Sequence, residues 1–187
     1  MIFSLLFNKK PNYIRHLEDT MKTLSIDIES YAFKNSNSIY MIGYTLFNGM
    51  NYTHYVLYGE QLRQGDLNHL VEKIMESDIV IGWNITNFDI RNIEETFNVN
   101  LTNVLRGKLI DVSTMFHTTL GISHHVSLKD AEPYMGLKRN TMDVVKNTMK
   151  YWIKWTTEND RKALDRLIAY NKEDCINPYI IYQMLTK

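Results

Sequence analysis

The chain has 187 residues, 44% hydrophobic and 12% aromatic, enough apolar material for one well-packed domain with a short appendage and too much for a disordered chain. Basic and acidic residues number 21 each, so no overall positive field marks a sequence-independent coat for nucleic acid, although an acidic site with a local basic rim stays compatible. The single cysteine, Cys175, excludes an internal disulfide and a cysteine-rich zinc site, and fits a cytoplasmic location.

Met1 to Phe7 is apolar, but no basic residue precedes it, it is too short to cross a bilayer, and Asn8, Lys9 and Lys10 follow at once. Residues 1–22 are therefore expected to form an arm packing on a single domain, 23–187, with no membrane partner; Asn12 to Lys22 predicts a short helix within the arm. Leu24 to Ser30 reads as a buried strand. Ile39 to Phe47 and Tyr52 to Tyr58 are two more strands, joined at Asn48-Gly49, where both residues tolerate positive φ. Asp66 is placed to cap a helix ending near Glu76, whose apolar face is Leu67, Leu70, Val71, Ile74 and Met75.

Asp78 to Trp83 is almost wholly apolar and predicts a strand buried on both faces, parallel to its neighbour, with Trp83 in the core. A loop over Asn84 to Asn87 leads to a helix from Phe88 to about Phe97, and a fifth strand is expected over Lys108 to Val112. From Ser127 onward helices dominate: Val144 to Trp155, Asp160 to Asn171, and Cys175 to Leu185. Pro178 removes the donor for the Asp174 carbonyl, so a kink or a restart capped by Asn177 is expected there. The order βββαβαβα with further helices then predicts an α/β domain with a mixed five-stranded sheet, three antiparallel strands followed by two parallel ones, flanked by helices. It is the order of a ribonuclease-H-like fold, though order alone leaves other α+β folds open.

Alternation puts Leu24, Ile26 and Ile28 on one face of the first strand and Asp27 and Glu29 on the other. Two buried carboxylates side by side repel and lose hydration, so a proton or a cation must offset them. Asp89 follows the carboxyl end of the apolar strand, where ligands gather in open α/β sheets; the ordinary alternative is an acid in a helix's first turn with Asn87 as the cap. Tyr170 and Asp174 are four apart and share a helical face.

Taken together, Asp27-x-Glu29, Asn84-x-x-Asn87-Phe88-Asp89 and Tyr170-x-x-x-Asp174 resemble the three motifs of the DEDD 3′→5′ exonucleases, in the tyrosine (DEDDy) branch. Gly82 to Asp89 and Tyr170 to Pro178 are similar to the proofreading domain of family B DNA polymerases. Ser127-Leu128-Lys129 through Gly136-Leu137-Lys138-Arg139 resembles the stand-alone ribonuclease-H-like exonuclease domains. The resemblance implies a metal-dependent 3′→5′ exonuclease acting on single-stranded nucleic acid, DNA favoured. It implies Asp27, Glu29, Asp89 and Asp174 as ligands of two Mg²⁺ or Mn²⁺ ions, with Tyr170 orienting the attacking water. The branch that uses histidine in place of the tyrosine has no candidate, because no histidine follows His125.

Asp111, at the end of the fifth strand, is expected to support the site by hydrogen bonding, with direct metal ligation as its alternative; His124 and His125 read as loop residues that would otherwise touch phosphate. Lys146, Lys150 and Lys154 recur every four residues beside Tyr151, Trp152 and Trp155. They predict a basic, base-stacking groove or, equally, a solvated face over a core-facing aromatic one. A structure-specific endonuclease and a non-catalytic nucleic-acid-binding module remain open beside the exonuclease. Proofreading would require a polymerase as a separate partner, and a repair protein is the other partner this reading admits.

Overall fold

A computed structural model describes residues 21–187 apart from 34, 35, 64 and 66. The arm, its expected helix up to residue 20 and the cap assigned to Asp66 lie outside the described residues, and Lys22 already belongs to a strand.

The sheet comprises β1 (Lys22–Phe33), β2 (Ser36–Asn48), β3 (Asn51–Tyr58), β4 (Ile79–Gly82) and β5 (Leu109–Asp111), in the order β3-β2-β1-β4-β5. The first three strands pair antiparallel, whereas β4 joins β1, and β5 joins β4, in parallel, as the element order predicts. The β2–β3 hairpin turns one residue later than expected. Asn48 pairs with Asn51, the loop is Gly49-Met50, and only Gly49 takes a positive φ, 59°, the conformation glycine supplies at the first loop position.

The helices are α1 (Glu60–Arg63), α2 (Asn68–Glu76), α3 (Asp89–Phe97), α4 (Leu101–Leu105), α5 (Val112–Leu120), α6 (Leu128–Tyr134), α7 (Thr148–Glu158) and α8 (Arg161–Leu185). Leu24, Ile26 and Ile28 pack into a core with Leu70, Ile74, Ile90 and Ile93 of α2 and α3. Val80 joins that core, while its neighbour Ile81 joins a second one with Val112, Phe116 and Ile181. The short β4 is thus apolar on both faces because both are covered.

Three helical expectations change. The helix expected from Val144 starts at Thr148; before it, turns are closed by Val144 N donating to Thr141 O (2.9 Å) and Asn147 N to Val144 O (2.7 Å). Asn87 does not cap α3: Phe88 occupies that position without a side-chain bond, and the loop is held by the Asp111 carboxylate, which accepts from Asn84 N (3.2 Å) and Thr86 N (3.3 Å). Finally, α8 is one 25-residue helix that runs through Pro178 without a restart. A proline ring holds φ near the helical value, and Cys175, Pro178 and Ile181 are buried together, so packing maintains the helix despite the donor missing for Asp174 O. The Asn177 side chain is used elsewhere, donating to Glu132 Oε1 at 2.7 Å.

Candidate active site

Strand alternation delivers Asp27 and Glu29 to the face of the sheet covered by α8, opposite the Leu24-Ile26-Ile28 core. Just beyond Glu29 the β1–β2 register slips: Glu29 pairs with Met41 and Ser30 with Ile39, leaving Tyr40 as the extra residue of a β-bulge. From α8, Asp174 approaches the same point, and one carboxylate oxygen from each of Asp27, Glu29 and Asp174 lies within 4.8 Å of the others. Glu29 and Asp174 are each only 8% exposed, and Asp27 is half-buried.

Asp89, 4% exposed in the first turn of α3, stands beside this trio. Its Oδ1 accepts from Ile28 N at 3.0 Å, the backbone position between the two acids of β1. Its charge acts on both Asp27 and Glu29.

Burial and crowding raise the pKa values of these acids. Burial first, then the charges of Asp174 and of the neighbouring acids, keep the Asp27 and Glu29 carboxyls well above the ordinary range. Burial pushes Asp89 up to about 8 despite the Ile28 N–H that favours its anion. Asp174 rises less, to about 6, because the Arg139 charge and hydrogen bonds from Arg139 and Tyr170 oppose its burial. Tyr170 is pushed far above the usual phenol range by burial and by the charges of Asp174, Glu29 and Asp27, so it stays a neutral hydroxyl that can donate and accept but does not serve as a base.

Several side chains that the motifs do not include hold the acids in place. Asn171, next to Tyr170, donates to Asp27 Oδ2 at 2.8 Å. It fits only because β2 carries Gly43 opposite it; a Cβ there would lie 1.5 Å from Asn171 Oδ1. Arg139 is 6% exposed and forks onto Glu132, Nε to Oε2 at 3.0 Å and Nη2 to Oε1 at 2.5 Å, while the same Nη2 donates to Asp174 Oδ1 at 2.5 Å. Its guanidinium carbon sits 5.2 Å from the centre of the Tyr170 ring. Glu173, which precedes Asp174 in α8, accepts from Asn140 N (2.9 Å) and Thr141 N (3.1 Å), which anchors the segment bearing Arg139. The one available signal for this pair was its position in the Ser127 to Arg139 stretch; nothing in the spacing announced its contact with Asp174.

Asp111 is not one of the clustered acids. Besides the Asn84 and Thr86 amides, its carboxylate accepts from Ser113 N (3.1 Å) and Thr114 N (3.3 Å), capping α5 and shaping the loop that leads to Asp89. His124 and His125 are exposed in the loop before α6. Lys146 precedes α7, so only Lys150 and Lys154 share that helix and no continuous stripe of three forms. Trp152 stacks on Tyr40 with ring centres 4.9 Å apart, and Trp155 packs against the Tyr40-Met41-Leu164-Leu167 core. Trp83 packs at 5.4 Å from Phe116 and donates to Val126 O.

The donor set suits a hard divalent cation: all of its charged donors are carboxylate oxygens, and Glu29 Oε1 is buried without a hydrogen-bond partner among the described residues. Asp27, Glu29 and Asp174 are the residues placed to hold such an ion, with Asp89 adjacent.

Residues 24–186 match the family model of the RNase H superfamily, and the chain belongs to that superfamily. In solved structures its fold is similar to the family B DNA polymerase from the hyperthermophilic archaeon Pyrobaculum calidifontis, with a TM-score of 0.63 and 15% identity over 89% of this chain and 24% of that one. It is also similar to the Aedes aegypti Nibbler EXO domain, with a TM-score of 0.54 and 12% identity over 92% of this chain and 84% of that one. The chain thus spans about a quarter of the polymerase and most of the Nibbler domain. No curated protein sequence matches it.

Proposed function

We propose that the protein is a metal-dependent 3′→5′ exonuclease that hydrolyses phosphodiester bonds at the 3′ end of single-stranded nucleic acid, using two Mg²⁺ or Mn²⁺ ions. The observation that carries this reading is the convergence of Asp27, Glu29 and Asp174 within 4.8 Å on an RNase-H-like sheet, with Asp89 alongside. Bound at these carboxylates, divalent ions would supply the activated water and the charge stabilisation that phosphodiester cleavage needs. Asp27, Glu29, Asp89 and Asp174 hold the ions, and Asn171 keeps Asp27 turned toward them. Tyr170, neutral beside Asp174, orients the attacking water through its hydroxyl. DNA is the favoured substrate, because the motifs are similar to those of polymerase proofreading domains.

The test incubates the protein with 5′-labelled single-stranded DNA and RNA, and with closed circular DNA, in Mg²⁺, Mn²⁺ or EDTA, beside the double variant Asp27→Ala/Asp174→Ala. A metal-dependent ladder that shortens from the 3′ end, absent from the variant, is the expected result. Cutting of the circle would replace this reading with an endonuclease, and binding without cleavage of any substrate would replace it with a binding module.

A further inference from the structure

The acids are not the only charges at the site. Arg139 is as deeply buried as they are, and its Nη2 lies 2.5 Å from Oδ1 of Asp174, a residue placed to hold a metal. A guanidinium in that position competes with a metal for the same carboxylate, since a cation on Oδ1 would face the N–H already there. Its partner Glu132 prevents it from swinging away: the two-point fork to Arg139 is reinforced by Asn177, which donates to Glu132 Oε1 from the turn of α8 after Asp174. The segment carrying Arg139 is fastened to α8 again through Glu173. Arg139 is therefore fixed relative to Asp174 from three directions, and its position over the Tyr170 ring extends the same restraint to the phenol.

We propose that Arg139 is a positioning residue of this centre: it occupies Oδ1 of Asp174, leaves Oδ2 as the oxygen that residue offers to a metal, and serves as a resident cation that loosens metal binding while fixing Asp174 and Tyr170 for turnover. The proposal rests on the metal-dependent reading of the site. It carries an unusual signature, because a charge that competes with the metal and a fork that orients its ligand affect binding and turnover with opposite sign.

Mn²⁺ affinity of the full chain is measured by calorimetry in the absence of nucleic acid, and kcat and KM are measured on single-stranded DNA. Removing the pair together, Glu132→Gln with Arg139→Gln, avoids stranding the buried Glu132 carboxylate. This double variant is expected to bind Mn²⁺ about threefold or more tighter than the wild type, because a positive charge beside a ligand is gone. Its kcat is expected to fall about tenfold or more with KM nearly unchanged, the usual scale for removing a group that orients a metal ligand. Arg139→Lys keeps the charge and loses the fork, so its Mn²⁺ affinity stays near wild type while kcat falls. Arg161→Gln, which removes an exposed arginine paired with Asp165, should change neither quantity. Weaker or unchanged Mn²⁺ binding in a folded double variant overturns the proposal. If the double variant does not fold, wild-type kcat in Arg139→Lys overturns it and a selective fall in kcat sustains it. Were the wild type to cleave no substrate, the exonuclease reading would fail, while the Mn²⁺ titration would still decide whether Arg139 competes for Asp174.

Discussion

The two faces of β1 solve the problem of burial in opposite ways. Leu24, Ile26 and Ile28 on one face are in contact with α2 and α3 and are almost fully buried, so leaving water stabilises them directly, at roughly 1.5–3 kcal/mol per side chain. Ser25, Asp27 and Glu29 on the other face lie under α8, where burial raises the acid pKa values and where Ser25 Oγ and Glu29 Oε1 lack partners among the described residues. Successive residues of one strand thus alternate between stabilising the protein and straining it. The difference teaches that the acidic face is tolerated because the apolar one anchors the strand, and that a bound cation would turn its cost into specific affinity.

The largest test of this contrast is Asp27→Asn, which keeps the side chain's shape and removes a charge. Cleavage at the 3′ end is expected to fall roughly a thousandfold, while the metal-free protein melts no lower than the wild type. A loss below tenfold in the ladder assay would mean that Asp27 is not part of the reacting centre. Next in size, Ile26→Ala changes the opposite face and should behave inversely. Urea titration is expected to show a loss of about 2–5 kcal/mol of stability, with Mn²⁺ affinity of the folded fraction preserved. Loss of metal affinity at wild-type stability would dissolve the distinction between the faces.

A smaller effect concerns pH. The carboxyls of Asp27 and Glu29 lie above their usual range, Asp174 near 6 and Asp89 near 8, so between about pH 4 and 8 the folded state binds more protons than the unfolded one. Stability contributed by these groups is therefore complete below about pH 4 and is lost as pH rises through the folded values. In EDTA the melting temperature should drop between pH 5 and pH 8, by about 2–4 °C for each kcal/mol. Saturating Mn²⁺ should reverse the trend, since the cation replaces the protons. A metal-free melting temperature that climbs over this range would contradict the strained acidic face. The smallest expected effect belongs to Lys150, exposed on α7. If Lys150 touches a phosphate, Lys150→Glu should reduce the slope of log affinity against log salt by about 0.7 for single strands. An unchanged slope assigns Lys150 to a solvated face.

Much of this architecture was readable along the chain. The five strands and their antiparallel and parallel halves followed from alternation and from the apolar run over Asp78 to Trp83, while the set of four acids came from the resemblance of the motifs. Misplaced features had competing local signals. Asn48-Gly49 offered two residues suited to positive φ, and the observed register uses Gly49 alone. Pro178 signalled a kink or a restart, but no restart occurs: Cys175, Pro178 and Ile181 are buried together in a helix that continues. Val144 began an amphipathic pattern, but the turns after Thr141, whose amide is bonded to Glu173, delay the helix to Thr148.

What the sequence by itself determined was the five strands, the longer helices and the faces of Asp27, Glu29 and Asp174, because strand and helix periodicities are local properties of the backbone. The helices Glu60–Arg63, Leu101–Leu105 and Val112–Leu120 carried no such signal. The tertiary structure alone decided which distant groups meet. Arg139 reaches Asp174 across 35 residues and Asn171 reaches Asp27 across 144. Gly43 serves that second contact only because α8 crosses β2 at that point. Such meetings depend on how helices pack over the sheet, and no period along the chain encodes them. The four acids could be named from their order; the residues that hold and neutralise them became visible only where α8 comes down on β1.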